Sequence, residues 1–341
     1  MKRARILLLG FLILGACGST YGMLKPEAEI PRMRALGESF DALDKPTARL
    51  ETKEQGGPDV TLYLLECNPD KTREVIVFVH GVMSDRRTWR YVAGALGDGH
   101  TLWLLDLPGC GRSDKPDPGS VSEEFYAPTA LARRVALALR ERLKTAPPDT
   151  RLTVVGHSLG SMILVRLLGD LGIQADFPDV LERIDGAVLL TPVDVVMSLR
   201  DPDFEKMAAY PVFLVKIAQR TGILKESVAK AVWEGTAEPD KVPREEADRL
   251  IEILSDSETL KPGQAMIRLA VPLDKDGNLD WRRAENLEGV YANIRVPCLI
   301  LWGARDKSFS KNMGYKVQAL IPDAKLCVLA ESMHSLPSTR P

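Results

Sequence analysis

The sequence predicts an α/β protein: a mainly parallel sheet covered on both faces by helices, with a long helical insertion. Three observations carry that prediction. The runs "EVIVFVH" (74–80), "TLWLLDL" (101–107), "RLTVVG" (151–156), "DGAVLLTPV" (185–193), "VPCLILWG" (296–303) and "AKLCVLAE" (324–331) are nearly continuous in apolar residues. Continuous runs mark strands buried on both faces, whereas a half-exposed strand alternates. Segments of helical period separate the early runs, "TALARRVALALRERLKT" (129–145) being the clearest. Residues 195–293 then hold helical pattern with no strand, far longer than an ordinary connection.

The bulk numbers fit one such domain with its insertion. The chain has 341 residues, 45% hydrophobic and 27% charged, with a formal net charge of −2. That composition argues against wholesale disorder, and the near-balanced charge offers no basic face for nucleic acid. No internal repeat or low-complexity tract is present.

In chain order, "MKRAR" is a basic cap, and Ile6–Ala16 is an apolar run of 11 residues. A spanning helix needs about 20, so the run reads as a secretory signal covering residues 1–16. "LGAC" (14–17) resembles the lipobox of bacterial lipoproteins, and that resemblance implies that Cys17 becomes an acylated N-terminus carrying palmitate-type chains. Gly18 resembles the outer-membrane-sorted kind, which implies the periplasmic face of the outer membrane in the bacterial cell envelope. Residues 17–48 are polar and proline-punctuated, expected as a lipid-anchored tether with a short helix near Met33–Leu43. "ARLET" and "VTLYLLE", flanking "GGPD", read as a hairpin opening the core. The core is expected over 49–194 and 294–341, with a helical lid over 195–293 that includes "VFLVKIAQRTGILKESVAKAVW" and "REEADRLIEILS". Four cysteines besides Cys17 remain: Cys67, Cys110, Cys298 and Cys327. They could pair in an oxidising compartment, yet the last two lie in strands as small core residues would, and none has metal-site spacing.

The chemistry-bearing stretch is "LTVVGHSLGSM" (152–162). A G-x-S-x-G string between a strand and a helix is the pattern of a nucleophile elbow: a sharp turn that lifts the Ser158 hydroxyl above the sheet edge. A nucleophilic serine needs a base, and the base needs an orienting acid. Asp306 follows one late strand and His334 the next, at the strand ends where open α/β sheets keep their sites. Asp194, ending the preceding strand, is the weaker candidate for the acid, and His100 lies at the wrong end of its strand. An oxyanion would take the backbone N–H of Leu159 and a second from the loop after "VIVFVHGVM", Val82 first and Met83 as the alternative. His80 is expected only to brace that loop.

Together "HGVMSDRRTW", "DLPGCGRSDKP", "GHSLGS", "LWGARD" and the final histidine resemble the α/β-hydrolase superfamily in its lid-bearing, esterase-like branch, over about residues 50–340. The resemblance implies an eight-stranded sheet, a lid, and hydrolysis of an ester or related acyl bond through an acyl-enzyme, with no metal or organic cofactor. It assigns the Asp106–Asp114 loop a structural turn, and Ser158 in the nucleophile place argues against the epoxide and carbon–halogen chemistry of aspartate-bearing relatives. Relatives continue past the histidine into a closing helix, whereas only "SLPSTRP" follows here, so bare apolar sheet surface is expected. Phe204, Met207, Tyr210, Phe213, Leu214 and Trp233 would either line an acyl pocket or form the lid's own core. The partner expected is a small ester with an apolar acyl group. Acyl transfer to an alcohol or peroxide uses the same residues, and a non-catalytic binding protein on this fold is the reading from another class.

Overall fold

The computed structural model describes residues 19–54, 57–69, 71–192, 212–272, 274, 280, 287–306, 309–339 and 341. Its centre is an eight-stranded sheet of order β1-β2-β4-β3-β5-β6-β7-β8. The strands are Thr47–Thr52 (β1), Val60–Cys67 (β2), Glu74–Val79 (β3), Thr101–Leu105 (β4), Arg151–His157 (β5), Ile184–Leu190 (β6), Cys298–Gly303 (β7) and Ala324–Leu329 (β8). The hairpin β1–β2 and the β2–β4 pair are antiparallel, and every other pairing is parallel. The longer helices are Pro31–Ala42 (α1), Arg90–Leu96 (α2), Pro128–Leu143 (α3), Leu159–Gly169 (α4), Val212–Arg220 (α5), Ile223–Glu234 (α6), Arg244–Ser255 (α7), Ser257–Ala270 (α8) and Lys311–Leu320 (α9).

Strand β3 shows why its run is apolar throughout. Val75, Val77 and Val79 enter the core layer shared with α3 and α4, while Ile76 and Phe78 enter the opposite layer with Trp89 and Ala93. The pleat sends alternate side chains to opposite faces, and both faces are covered. All of α4 is buried, which sets its first turn firmly under the end of β5.

The insertion folds as helices α5–α8 within the described residues. The 22-residue helical pattern expected over 212–233 is two helices, because Gly222 adopts φ +77° between them, at the N-cap of α6. Trp233 joins the lid's own hydrophobic cluster and Phe213 stands 62% exposed. The same lid candidates Phe204, Met207 and Tyr210, and the alternative acid Asp194, lie outside the described residues, as does Cys17 with the rest of the leader.

The stretch expected as a tether is built into the fold from Ser19 onward. Leu24 is fully buried in the lid cluster with Ala218, Leu224, Val228 and Ala247. Tyr21 donates its hydroxyl to Asp248 at 2.6 Å, Ser19 donates to Glu226 at 2.6 Å, and the Arg244 N–H donates to the Lys25 carbonyl at 2.8 Å. Helix α1 then lies so close on α2 that a Cβ on Gly94 would stand 2.0 Å from the Leu36 carbonyl oxygen. A sparse set of apolar residues anchors this segment, and several of its polar side chains pair with residues far along the chain.

Cys67, Cys110, Cys298 and Cys327 are all free, the first three buried and Cys327 exposed, so the buried ones act as small core residues. No described helix is long and apolar enough to cross a membrane. Past β8 the described chain makes one helical turn, Leu336–Thr339, whose Leu336 is buried beside Trp89. On the same face of β7 and β8, Leu299 is 39% exposed and Cys327 is open to solvent.

Candidate functional site

Ser158 sits between β5 and α4 with φ 52° and ψ −118°, a conformation L-residues rarely hold. The surroundings enforce it. The Ser158 N–H donates to the Leu190 carbonyl at 2.9 Å, and Ser161 donates its hydroxyl to the Gly156 carbonyl at 2.8 Å. A Cβ on Gly160 would lie 2.2 Å from the Val79 carbonyl oxygen, and one on Gly156 would lie 2.7 Å from the Gly160 backbone. Both glycines are therefore required by close backbone approach. The N–H of Leu159 stands at the first helical position, where it has no acceptor one turn back, and the positive end of α4 points to the same place.

The loop after β3 lies against the serine: a Cβ added to Gly81 would be 3.2 Å from the Ser158 Cβ. Val82 and Met83 follow, Met83 with φ 50°. The loop that carries both candidate oxyanion donors therefore begins in contact with Ser158. His80 braces the loop from beneath. Its Nδ1 donates to the Gly81 carbonyl at 2.8 Å, and its Nε2 accepts the Leu107 N–H at 3.1 Å. One donor and one acceptor fit the neutral ring, and burial pushes its pKa down.

Asp306 and His334 come together. His334 Nδ1 lies 3.0 Å from Asp306 Oδ2, the aspartate side chain being fully buried and the histidine 21% exposed. The other carboxylate oxygen accepts the Phe309 N–H at 2.9 Å. A carboxylate beside Nδ1 sets the tautomer with its proton there, leaving Nε2 free to accept.

His157, one residue before the serine, was not singled out by sequence. It donates from Nε2 to the His334 carbonyl at 2.9 Å, and the two rings lie tilted at 46° with 5.0 Å between centroids. Burial first, then the neighbouring His334, pushes the His157 pKa down to about 3, so the ring is neutral near pH 7. The Phe309 ring also packs on His334, with 4.9 Å between centroids. The only signal in sequence was adjacency to Ser158. The Asp106 loop does structural work: the buried Asp106 carboxylate accepts the Arg86 and Arg112 N–H groups at 2.8 and 2.9 Å.

Comparisons with known proteins bear on the family and the fold. The family model described as "Alpha/beta hydrolase family" matches residues 76–341. The chain is 23% identical over 269 residues to the uncharacterized hydrolase YugF of Bacillus subtilis, spanning 79% of this chain and 86% of that protein. Among solved structures it resembles a membrane phospholipase A described as a bacterial virulence factor, with TM-score 0.62 and 20% identity over 100% of this chain and 94% of the other. It also resembles the 2-hydroxy-6-oxo-6-phenylhexa-2,4-dienoate hydrolase of Rhodococcus sp. strain RHA1, with TM-score 0.64 and 16% identity over 88% and 95%. At such identities the structures speak for the fold.

Proposed function

The chain belongs to the alpha/beta hydrolase family, and from that premise we propose that it is a serine hydrolase of ester or related acyl bonds. The observation that carries the reading is the linkage of the elbow to the histidine and the acid: His157, next to Ser158, holds the His334 backbone, and His334 is bonded to buried Asp306. Ser158 Oγ attacks the acyl carbon and its proton passes to His334 Nε2. Asp306 holds the imidazole and stabilises the imidazolium. The oxyanion takes the N–H groups of Leu159 and Val82. Collapse expels the alcohol, which takes the proton from His334, and water repeats the sequence on the acyl-enzyme. A small ester with an apolar acyl group is the substrate class proposed, and nothing in this route calls for a metal or organic cofactor.

For location, the reading is a bacterial lipoprotein anchored through Cys17. Its support is the leader in the sequence, together with the contact of Ser19 and Tyr21 with Glu226 on the lid helix α6. An anchor two residues before Ser19 would hold the lid side towards the lipid surface, where the membrane phospholipase resemblance suggests acyl substrates are found. The test is labelling of the protein from residue 18 onward with a fluorophosphonate probe, with peptide mapping of the adduct. Label on Ser158 that Ser158→Ala and His334→Ala both lose supports the reading. A folded protein without label removes it.

A further inference from the structure

Helix α7 of the lid carries a buried ion pair that touches both loops of the proposed site. Arg249 Nη2 lies 3.0 Å from Glu246 Oε2, each side chain 9% exposed. Arg249 Nη1 donates to Ser84 Oγ at 3.0 Å, and Ser84 lies two residues past Val82 in the loop beside Ser158. Glu246 Oε2 also accepts the Ser338 hydroxyl at 2.8 Å, and Ser338 lies four residues past His334. Ser84, Ser338, Glu246 and Arg249 are all buried.

The cost of such an arrangement asks for a reason. A buried ion pair is poor stabilisation, since the two charges give up hydration that their attraction only roughly repays. Here one arginine nitrogen, Nε, is buried without a hydrogen-bond partner, which adds to the cost. The gain lies in geometry. A charged pair with fixed partners at both ends admits one arrangement of the groups that bond it, whereas an apolar contact admits sliding.

The same loop is held by the lid at further points. Met83 packs into a cluster with Leu260 and Ile267 of α8, and a Cβ on Gly263 would lie 2.4 Å from its sulfur. Arg87 donates to Glu252 of α7 at 2.7 Å, and its partner Asp85 caps the following turn. Met83, Ser84 and Arg87 are thus held by α7 and α8, while Arg86 between them is tied to the core through Asp106. The charges facing Arg249 are Glu246 and, at longer range, Asp85, His80 and His157.

We propose that Glu246 and Arg249 are positioning residues: a latch through which the seated lid holds the oxyanion loop, by Ser84, and the histidine loop, by Ser338, in register. The inference rests on the serine-hydrolase reading. It predicts that the lid is needed for turnover itself and not only for gripping the acyl group. An interaction that sets the geometry of the reacting groups affects kcat, while a contact used equally by substrate and transition state affects KM.

The experiment uses the protein from residue 18 onward, hydrolysis of p-nitrophenyl butyrate, and fluorophosphonate labelling of the wild type as a reference. Arg249→Met is expected to lower kcat about tenfold or more with KM changed less than about threefold, scored per folded molecule by circular dichroism. Arg249→Lys, which keeps the cation, is expected to recover part of that loss. Ser84→Ala and Ser338→Ala remove one bond each with little risk to folding and are expected to lower kcat about three- to tenfold. Combining Ser84→Ala with Arg249→Met is expected to cost no more than Arg249→Met alone, because both cut the same link. Should Arg249→Met fail to fold, the two serine variants decide. A labelled, active wild type whose Ser84→Ala and Ser338→Ala variants keep kcat within about twofold overturns the latch. A loss in KM alone does the same, by making Arg249 a substrate contact. A wild type that takes no label removes the hydrolase reading itself, an outcome visible before any lid variant is made.

Discussion

His334 Nδ1 meets Asp306 Oδ2 at 3.0 Å, with the carboxylate wholly out of solvent. An amide at position 306 would keep the shape but could present its NH₂ to Nδ1, favouring the tautomer whose proton sits on Nε2. The base would then face the serine in the wrong state. Asp306→Asn is expected to lower kcat about 10³- to 10⁴-fold while leaving the melting temperature nearly unchanged. Burst kinetics with an activated ester and a thermal melt check both halves. Loss of activity below tenfold would point to another acid.

Ser158 holds φ 52° against the preference of any residue with a Cβ. Strain of this kind costs about 1–3 kcal/mol and persists because neighbours enforce it. Glycine at 158 relieves it, offset in part by greater freedom of the unfolded chain. Ser158→Gly is therefore expected to abolish fluorophosphonate labelling and yet raise stability by about 1 kcal/mol, read by urea denaturation. Equal or lower stability would mean that the turn is not strained.

Much of the framework was readable because it is local. The apolar runs at 74–80, 101–107 and 151–156 are strands because both faces are covered, and the glycines around Ser158 answer to backbone approach within a few residues. What was not readable is long-range. Residues 19–45 look like a tether because their polar side chains outnumber their apolar ones, and their partners, Glu226, Asp248 and Arg244, lie some two hundred residues away. The ring of His157 is likewise matched to His334 only by the fold. Periodicity reports which face of a segment is apolar and carries no information about what covers it.

The neutral His157 gives a pH dependence whose sign is fixed. Its pKa falls from an ordinary value near 6.5 to about 3 on folding, chiefly by burial. Above about pH 6.5 neither folded nor unfolded chain is protonated there, and the contribution is flat. Below it the unfolded chain binds a proton that the folded chain refuses, so stability falls as the pH drops from about 6.5 towards 3. His80, also pushed down by burial, acts with the same sign. Urea denaturation at pH 7.5, 6.0 and 5.0 should show falling stability below pH 6.5, with a slope of up to about 1.4 kcal/mol per pH unit per histidine. His157→Gln should flatten that slope. A slope unchanged by the substitution would assign it to other groups.

The segment from Ser19 to Ala42 joins the lid to the core, and two positions test whether that joint matters. Leu24 is fully buried among lid residues, and truncating such a side chain to alanine costs about 2–5 kcal/mol where the site does not collapse. Gly94 receives the Leu36 carbonyl so closely that a methyl group at 2.0 Å must push α1 off α2. The obstacle there is backbone, which has no rotamer to yield. Gly94→Ala is therefore expected to release α1 at a cost of about 1–3 kcal/mol, while Leu24→Ala loosens the lid end. Hydrogen exchange separates the two effects: Leu24→Ala should speed exchange in Ile223–Glu234 and Arg244–Ser255, and Gly94→Ala should speed it first in Pro31–Ala42. Because the same lid helix carries Glu246 and Arg249, Leu24→Ala should also lower turnover. Unchanged exchange in the lid after Leu24→Ala would show that the segment is carried by the lid without supporting it, and that packing against the other lid helices and the core contacts at Ser84, Arg87 and Ser338 suffice to hold α7.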